Sequence, residues 1–255
     1  MAGASGSPPR ITYAEVTPVL EVIADANGDL VLVGGQALNY WAEVYAPRLP
    51  ALRAEAPFTS KDIDVIGEAS QKAARQIARA LHGQTTEPTI YEATAAVAVV
   101  SYSDPGGTPR VIDFLRKLHK VDVKDVERTA LVLRPGLRVM HPVWCLERRV
   151  HNCLDFADYQ TPEGYSQARA AVFCAREFLR DLLDAGEIQA VMELDKRIYQ
   201  LAHHRAAQCA KHGLRPFEAV LVDERMPEKF LTEAYPRMVR AIEFETSRGH
   251  SGPSR

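Results

Sequence analysis

The hydrophobic pattern of the chain changes near residue 139. Before that point, short β-branched and apolar runs alternate with segments of helical spacing, and after it the spacing is almost entirely helical. Interleaved strands and helices are typical of a sheet covered by helices, whereas continuous helical spacing is typical of a bundle. We therefore predict an α+β fold: an α/β-like domain with a small mixed sheet over residues 1–139, an all-helical domain over 140–246, and a disordered tail over 247–255.

The spacing also predicts the individual elements. The predicted strands of the first domain cover residues 30–33, 62–66, 95–101, 110–115, 131–133 and 137–140, and its predicted helices cover about 17–25, 36–45 and 70–81. The predicted helices of the second domain cover about 141–158, 163–185, 187–212 and 227–245. We expect Thr17 to cap the first helix with Pro18 at its first position, and Asn27-Gly28 to end it.

Composition narrows the classes of function. The 255 residues are 46% hydrophobic and 25% charged, which excludes a mainly disordered chain. A net charge of −2 gives no strong signal for binding DNA, although a local basic groove is compatible with it. The longest apolar stretch is too short to span a membrane, and four cysteines without a CxxC pair indicate reduced, packed thiols. We therefore expect a cytoplasmic protein without a membrane partner.

Two adjacent glycines lie between a predicted strand and a predicted helix. At Gly34 and Gly35 the backbone can approach an anionic group closely, and the following helix begins with unpaired N–H groups and a positive dipole end. This arrangement suits a phosphate. The alternative interpretation is a tight turn that requires glycine for its geometry alone.

Three acidic residues lie in predicted strands. Asp62 and Asp64 are two residues apart, so on a strand they point to one face, and Mg²⁺ prefers such hard oxygen ligands. Asp113 lies within the apolar run Val111–Leu115, where an unpaired carboxylate is costly. The alternatives are a solvated outer face for the first two acids and a salt bridge to a neighbouring Arg116 or Lys117 for the third.

The run from Val31 to Leu38, followed by the run from Thr59 to Asp64, resembles the signature of nucleotidyltransferases: a strand, a Gly-Gly turn, a helix and then an Asp-x-Asp strand. The Gly-Gly-x-Ala-Leu and Ser-x-Asp-Ile-Asp forms are similar to the AbiEii branch of bacterial toxins and abortive-infection proteins. Asp113 matches the third carboxylate of the family. The resemblance covers roughly residues 30–156.

The resemblance implies transfer of a nucleoside monophosphate from a nucleoside triphosphate to a hydroxyl group. The implied catalytic and metal-binding residues are Asp62, Asp64 and Asp113, with Mg²⁺ or Mn²⁺ as cofactor. The implied substrate-binding residues are Gly34, Gly35, Gln36, Ser60, Lys61, Arg148 and Arg149. The acceptor is an RNA end, a protein or a small molecule; the toxin branch favours a tRNA or a protein and implies an antitoxin partner.

One position departs from the family pattern. Arg148 or Arg149 stands where the family has a lysine. Arginine keeps the charge and offers a bidentate fork for phosphate, but it does not give up a proton near neutral pH. This difference supports a second hypothesis, in which the chain is a non-catalytic nucleotide-binding regulatory or interaction module with the same fold.

Overall fold

The structure, a computed structural model, describes residues 10–26, 29–89, 91–92 and 94–250, with backbone alone at 249 and 250. The chain divides into two compact units, Met1–Cys145 and Leu146–Arg255. The first contains a mixed sheet with helices and the second is helical, so the predicted α+β class is confirmed.

The sheet is built from both parallel and antiparallel strands. The strands are β1 (Ile11–Thr12), β2 (Leu30–Val33), β3 (Thr59–Ser60), β4 (Ile63–Ile66), β5 (Gln84–Thr86), β6 (Ala96–Ser103), β7 (Pro109–Leu115), β8 (Leu131–Arg134) and β9 (Leu137–Val139). Within the described part of the chain, seven of them form one sheet in the order β5-β6-β7-β4-β2-β9-β8, while β1 and β3 form a separate antiparallel pair. The pairs β4–β7 and β2–β9 are parallel, whereas β2 and β4 are antiparallel.

The helices are α1 (Tyr13–Asp25), α2 (Gly34–Tyr45), α3 (Pro50–Arg53), α4 (Ser70–Ala80), α5 (Val123–Thr129), α6 (Pro142–Asp155), α7 (Pro162–Asp184), α8 (Ile188–His204), α9 (Ala206–Lys211) and α10 (Tyr235–His250). Helices α2 and α4 pack on the sheet, and α1 packs on both of them. A short π-helical segment, Phe230–Ala234, precedes α10.

The centre of the first unit is the run that the sequence predicts as a buried strand. All four residues of β2 are fully buried, as are Ile63, Val65 and Ile66 of the adjacent β4. The sequence of a strand that is buried on both faces is continuously apolar rather than alternating, which explains the Leu-Val-Leu-Val sequence of β2. Strands β6 and β7 form an antiparallel hairpin, and so do β8 and β9.

The start of the first helix was predicted too late. Helix α1 begins at Tyr13, because Thr12 and Glu15 form a capping box in which each side chain accepts a hydrogen bond from the other's backbone N–H. Pro18 therefore lies inside the helix rather than at its first position. The predicted stop at Asn27-Gly28 lies outside the described residues.

Other boundaries also differ from the prediction. Asp62 lies in a bend before β4 rather than within the strand. The helix predicted over residues 187–212 is two helices, α8 and α9, separated at Arg205. Helix α10 extends to His250, into the segment predicted as a tail from 247. All four cysteines are buried thiols rather than disulfides.

Candidate functional site

Two of the three predicted acids are neighbours across parallel strands. The register of β4 and β7 pairs Asp64 with Asp113 and, on either side, Ile63 with Ile112 and Val65 with Phe114. Side chains that are paired across adjacent strands point to the same face, and the strands lie about 4.8 Å apart. Because the flanking apolar residues are fully buried, the alternation turns both carboxylates to the opposite, partly exposed face.

Asp62 interacts electrostatically with Asp64, although it precedes β4. Burial and the negative charge of Asp64 raise the pKa of Asp62, while Lys61 and Arg10 lower it. A coupling of this kind requires the charges to be close in space. Asp62 therefore lies near Asp64, as its spacing predicts, but its position is set by the bend and not by the strand.

Gly34 lies directly against the side chain of Asp64. Val33, the last residue of β2, pairs with Asp64, so the chain turns into α2 directly beside that side chain. Gly34 has a φ of +69°, and a Cβ atom added to it would lie 1.8 Å from Oδ2 of Asp64. Only glycine fits this position without displacing the carboxylate, so both the close approach of Asp64 and the backbone conformation require it.

Asp113 has the most perturbed pKa of the three acids. Burial, followed by the charges of Asp64 and Asp62, raises its pKa from the ordinary 3.8 to about 7. The predicted alternative, a salt bridge to a neighbouring cation, would lower that pKa instead. The Arg116 guanidinium donates to the carbonyl oxygen of Thr94, 3.0 Å away. A salt bridge from Asp113 to a neighbouring cation therefore does not agree with this raised pKa.

The donor set fits a hard divalent cation. In the described ranges, no group of three or more His, Cys, Asp and Glu side chains is placed so that it could hold a metal ion by itself. Mg²⁺, however, is usually bound by one or two carboxylates together with substrate phosphates rather than by a full cage of protein ligands. The register pair Asp64 and Asp113 supplies that contribution, and the repulsion that raises the pKa of Asp113 would fall if a cation lay between them.

The predicted substrate-binding residues of the first unit separate into two groups. Ser60 and Lys61 lie in β3 and in the bend before β4, and Lys61 is exposed. Gly35 and Gln36 are buried in the first turn of α2. The Gln36 amide donates to the carbonyl oxygen of Ile11 (3.2 Å) and accepts from Asn39 (3.1 Å). Substrate binding by Gln36 does not agree with this geometry, because its side chain is enclosed and used for packing.

The two arginines predicted from the family pattern lie on α6, in the second unit. Arg149 is buried, and its guanidinium carbon lies 6.0 Å from the centre of the Tyr159 ring. Such a contact stabilises the fold through cation–π attraction. Arg148 is partly exposed on the same helix.

The structure adds one residue that the sequence did not indicate. Arg10 directly precedes β1, and β1 pairs with β3 so that Ile11 lies opposite Ser60. Nη1 of Arg10 donates to the carbonyl oxygen of Thr59 (3.3 Å), and the charge of Arg10 acts on Asp62. Arg10 and Lys61 therefore place two positive charges near Asp62. Two paired residues on each strand are too short a signal to predict this placement.

Comparison with protein-family models, with curated proteins and with solved structures gives no match to this chain. Along the described residues, no helix is both long enough and apolar enough to cross a membrane.

Proposed function

We propose that this chain is a metal-dependent nucleotidyltransferase that moves a nucleoside monophosphate from a nucleoside triphosphate to a hydroxyl group. The observation that carries the proposal is the in-register pair of Asp64 and Asp113, with Asp62 beside them and Gly34 against Asp64. The motif resemblance to AbiEii-type toxins supports an RNA end, a tRNA in particular, or a protein as acceptor, and an antitoxin as partner.

The carboxylates have two roles in this proposal. Asp64 and Asp113, with Asp62 beside them, would hold Mg²⁺ or Mn²⁺ together with the substrate phosphates, and the ion when bound neutralises phosphate charge and makes a coordinated hydroxyl more acidic. In this proposal Asp113 also accepts the proton of the acceptor hydroxyl as a general base.

The proposed reaction is balanced without any further reactant. The acceptor oxygen forms a bond to the α-phosphorus, the bond from the α-phosphorus to the bridging oxygen breaks, and pyrophosphate leaves with that electron pair. The acceptor proton passes to the Asp113 carboxylate. The backbone N–H groups at Gly34 and Gly35 and the Ser60 hydroxyl donate to the leaving phosphates, and Lys61 and Arg10 balance their charge.

The test is transfer of label from each α-³²P nucleoside triphosphate, with Mg²⁺, to total RNA or to cell protein. The unchanged chain is compared with Asp64→Asn and with a matched control, Asp25→Asn, which makes the same change at an exposed position at the end of α1. We expect label transfer with the unchanged chain and the control, and a loss of about 100-fold or more with Asp64→Asn.

Three other outcomes would contradict the proposal. Transfer that persists in Asp64→Asn would exclude a role for this carboxylate group. Nucleotide binding without transfer in every mixture would support the non-catalytic module. Transfer of a γ-label in place of the α-label would identify a phosphoryl-transfer enzyme.

A further inference from the structure

The sheet face that carries Asp64 and Asp113 continues across β6 and β5. The register pairs Asp113 with Val99 of β6, and Val99 with Thr86 of β5. Side chains that are paired across adjacent strands point to the same face, so the neighbouring rows add further residues to it. We call the part of this face beyond Asp113 the outer face, and it consists of Gln84, Thr86, Val99, Ser101, Ser103, Pro109 and Val111.

The outer face is open to solvent. All seven of its residues are partly or fully exposed, whereas Ala98, Val100 and Ile112, which alternate with them, are fully buried. Helix α4 packs on β5, β6 and β7, and the burial of the alternating residues places this helix on the opposite face. Asp113 therefore lies beside a sheet surface that another molecule can reach.

Positive charge acts unequally on the acids. Arg10 and Lys61 lower the pKa of Asp62 and so lie near it. Burial and the charges of the other two acids raise the pKa of Asp113, and no cation in the described ranges lowers it appreciably. The site is therefore cationic on the Asp62 side and not on the Asp113 side.

The outer face itself is uncharged. It offers two valines, a proline, two serine hydroxyls, a threonine hydroxyl and a carboxamide, and none of its residues is a lysine or an arginine. The cation within β7, Arg110, alternates with these residues; it is buried, and its Nε donates to Oδ2 of Asp104 (2.9 Å). The outer face therefore presents neutral hydrogen-bonding groups and apolar side chains.

The proposed reaction places the two substrates on opposite sides of the acids. In an in-line displacement the attacking and leaving oxygens lie on opposite sides of the α-phosphorus. In the proposed function the leaving phosphates lie at Gly34, which follows β2, and β2 and β7 flank β4 on opposite sides. The acceptor then approaches from the β7 side, over the outer face, where Asp113 accepts its proton.

The chemistry of the outer face distinguishes between the possible acceptors. Sites for single-stranded RNA combine a positively charged groove with aromatic side chains, and the outer face has neither. Sites for small molecules are concave and enclose most of the ligand, whereas this face is exposed. Valines next to neutral donors and acceptors match the apolar side chains and peptide groups of an uncharged polypeptide.

We propose that the acceptor is a serine, threonine or tyrosine hydroxyl group in an uncharged protein segment that docks on the outer face. This inference rests on the proposed function, which leaves RNA and protein acceptors open. The hydroxyl oxygen forms a bond to the α-phosphorus, and pyrophosphate leaves with the electron pair of the broken bond. The hydroxyl proton passes to the Asp113 carboxylate. The product is a side chain joined to a nucleoside monophosphate by a phosphodiester bond.

The first test compares two acceptor pools: cell protein cleared of nucleic acid by nuclease, and cell RNA cleared of protein by protease. The full chain receives each pool with Mg²⁺ and each α-³²P nucleoside triphosphate, and labelling by Asp64→Asn is subtracted as background. We expect protein to be labelled at least about tenfold faster than RNA, with label that protease releases. RNA labelled as fast or faster would overturn this inference and leave the proposed function intact. Label in neither pool would contradict the proposed function itself.

A matched pair of variants tests the location of docking, with a labelled protein isolated from the pool as acceptor. Ser101 is exposed and lies one row from Asp113, so Ser101→Phe places a ring on the outer face. We expect the KM for the protein acceptor to rise about fivefold or more through the steric clash, with the KM for the triphosphate unchanged. Ser247→Phe makes the same change at an exposed position on α10 and serves as the control. An equal effect of the two variants, or a rise in the KM for the triphosphate instead, would overturn the assignment.

The salt dependence of the reaction tests the absence of charge on the docked segment. At saturating triphosphate, an acceptor held by two phosphate contacts would lose about sevenfold in affinity between about 50 and 200 mM salt, at a slope of about −0.7 per contact. We expect the KM for the isolated protein acceptor to change by less than about twofold over this range. A larger rise would show that ionic contacts hold the acceptor, which contradicts the proposal.

Discussion

Replacing Asp113 with asparagine is expected to stabilise the protein above neutral pH while it removes the proposed general base. Asp113 lies beside Asp64 in the sheet, and burial together with the charges of Asp64 and Asp62 raises its pKa from 3.8 to about 7. Asparagine keeps the shape of the side chain and removes the charge. The variant therefore separates the electrostatic cost of this carboxylate from its packing.

The sign of the effect follows from the two ionisation states. In the unfolded chain Asp113 loses its proton near pH 3.8, whereas in the folded chain it keeps the proton up to about pH 7. The free energy of unfolding is therefore unaffected by this group below about pH 4, decreases between pH 4 and 7, and stays reduced above pH 7. At about 1.4 kcal/mol per pH unit the upper limit is about 4 kcal/mol, and because Asp113 is partly exposed we expect about 1–2 kcal/mol.

The assay is urea unfolding of the unchanged chain and of Asp113→Asn in EDTA, at pH 4.5 and at pH 8. At each pH we compare the free energy of unfolding of the variant with that of the unchanged chain. We expect this difference to favour the variant by about 1–2 kcal/mol more at pH 8 than it does at pH 4.5. A gap that does not change with pH, or a variant that is less stable at pH 8, would refute the reasoning, because Asp113 would then have a stabilising partner.

Magnesium provides the matched control for this prediction. Mg²⁺ in excess should raise the unfolding free energy of the unchanged chain at pH 8, since a ligand that binds only the folded state stabilises it. The same concentration should have a smaller effect on Asp113→Asn. Equal stabilisation of both proteins would mean that the ion binds elsewhere.

Three further substitutions have defined outcomes. Gly34→Ala places a Cβ atom 1.8 Å from Oδ2 of Asp64 at a φ of +69°, so we expect a loss of about 2 kcal/mol or more in urea unfolding; an unchanged midpoint would contradict the described contact. Arg10→Gln should weaken binding of a non-hydrolysable nucleoside triphosphate about tenfold in calorimetry, whereas Arg10→Lys should keep most of the affinity; equal affinities would exclude a phosphate contact. Asp195 is fully buried, burial raises its pKa to about 7, and its Oδ1 accepts from the Leu221 amide (2.9 Å). The stability advantage of Asp195→Asn over the unchanged chain should therefore grow between pH 5 and pH 8, and an advantage that does not change with pH, or lower stability at pH 8, would contradict this.

The acidic part of the site could be predicted because strand periodicity determines which face a side chain occupies. In β7 the alternation of Ile112, Asp113 and Phe114 requires the carboxylate to point away from the core, and Ile63 and Val65 do the same for Asp64. Periodicity does not determine which strands are neighbours in the sheet. The juxtaposition of Asp64 and Asp113 followed from the resemblance to a known family, since β4 and β7 lie far apart in the sequence.

The first helix shows how a local signal can be present and still be overlooked. Thr12 and Glu15 have the spacing of a capping box. Thr17 followed by Pro18 is a second possible helix start, with Thr17 as the N-cap and Pro18 at the first helical position. The capping box satisfies two backbone N–H groups by reciprocal hydrogen bonds. Pro18 is accommodated inside the helix instead, where its missing N–H removes one hydrogen bond. The number of N–H groups that each start satisfies, and not the presence of proline, decides the boundary.

Gln36 has a structural role that bears on the site indirectly. A polar side chain within an apolar stripe must satisfy its hydrogen bonds when it is buried, and Gln36 does so with the carbonyl oxygen of Ile11 and the amide of Asn39. The first of these bonds connects α2 to β1. Because β1 pairs with β3, the same bond helps to fix the segment that carries Arg10 beside Asp62. In the proposed function Gln36 is therefore a positioning residue rather than a substrate ligand, because it helps to place Arg10, a cation that the sequence alone gives no reason to assign to this site.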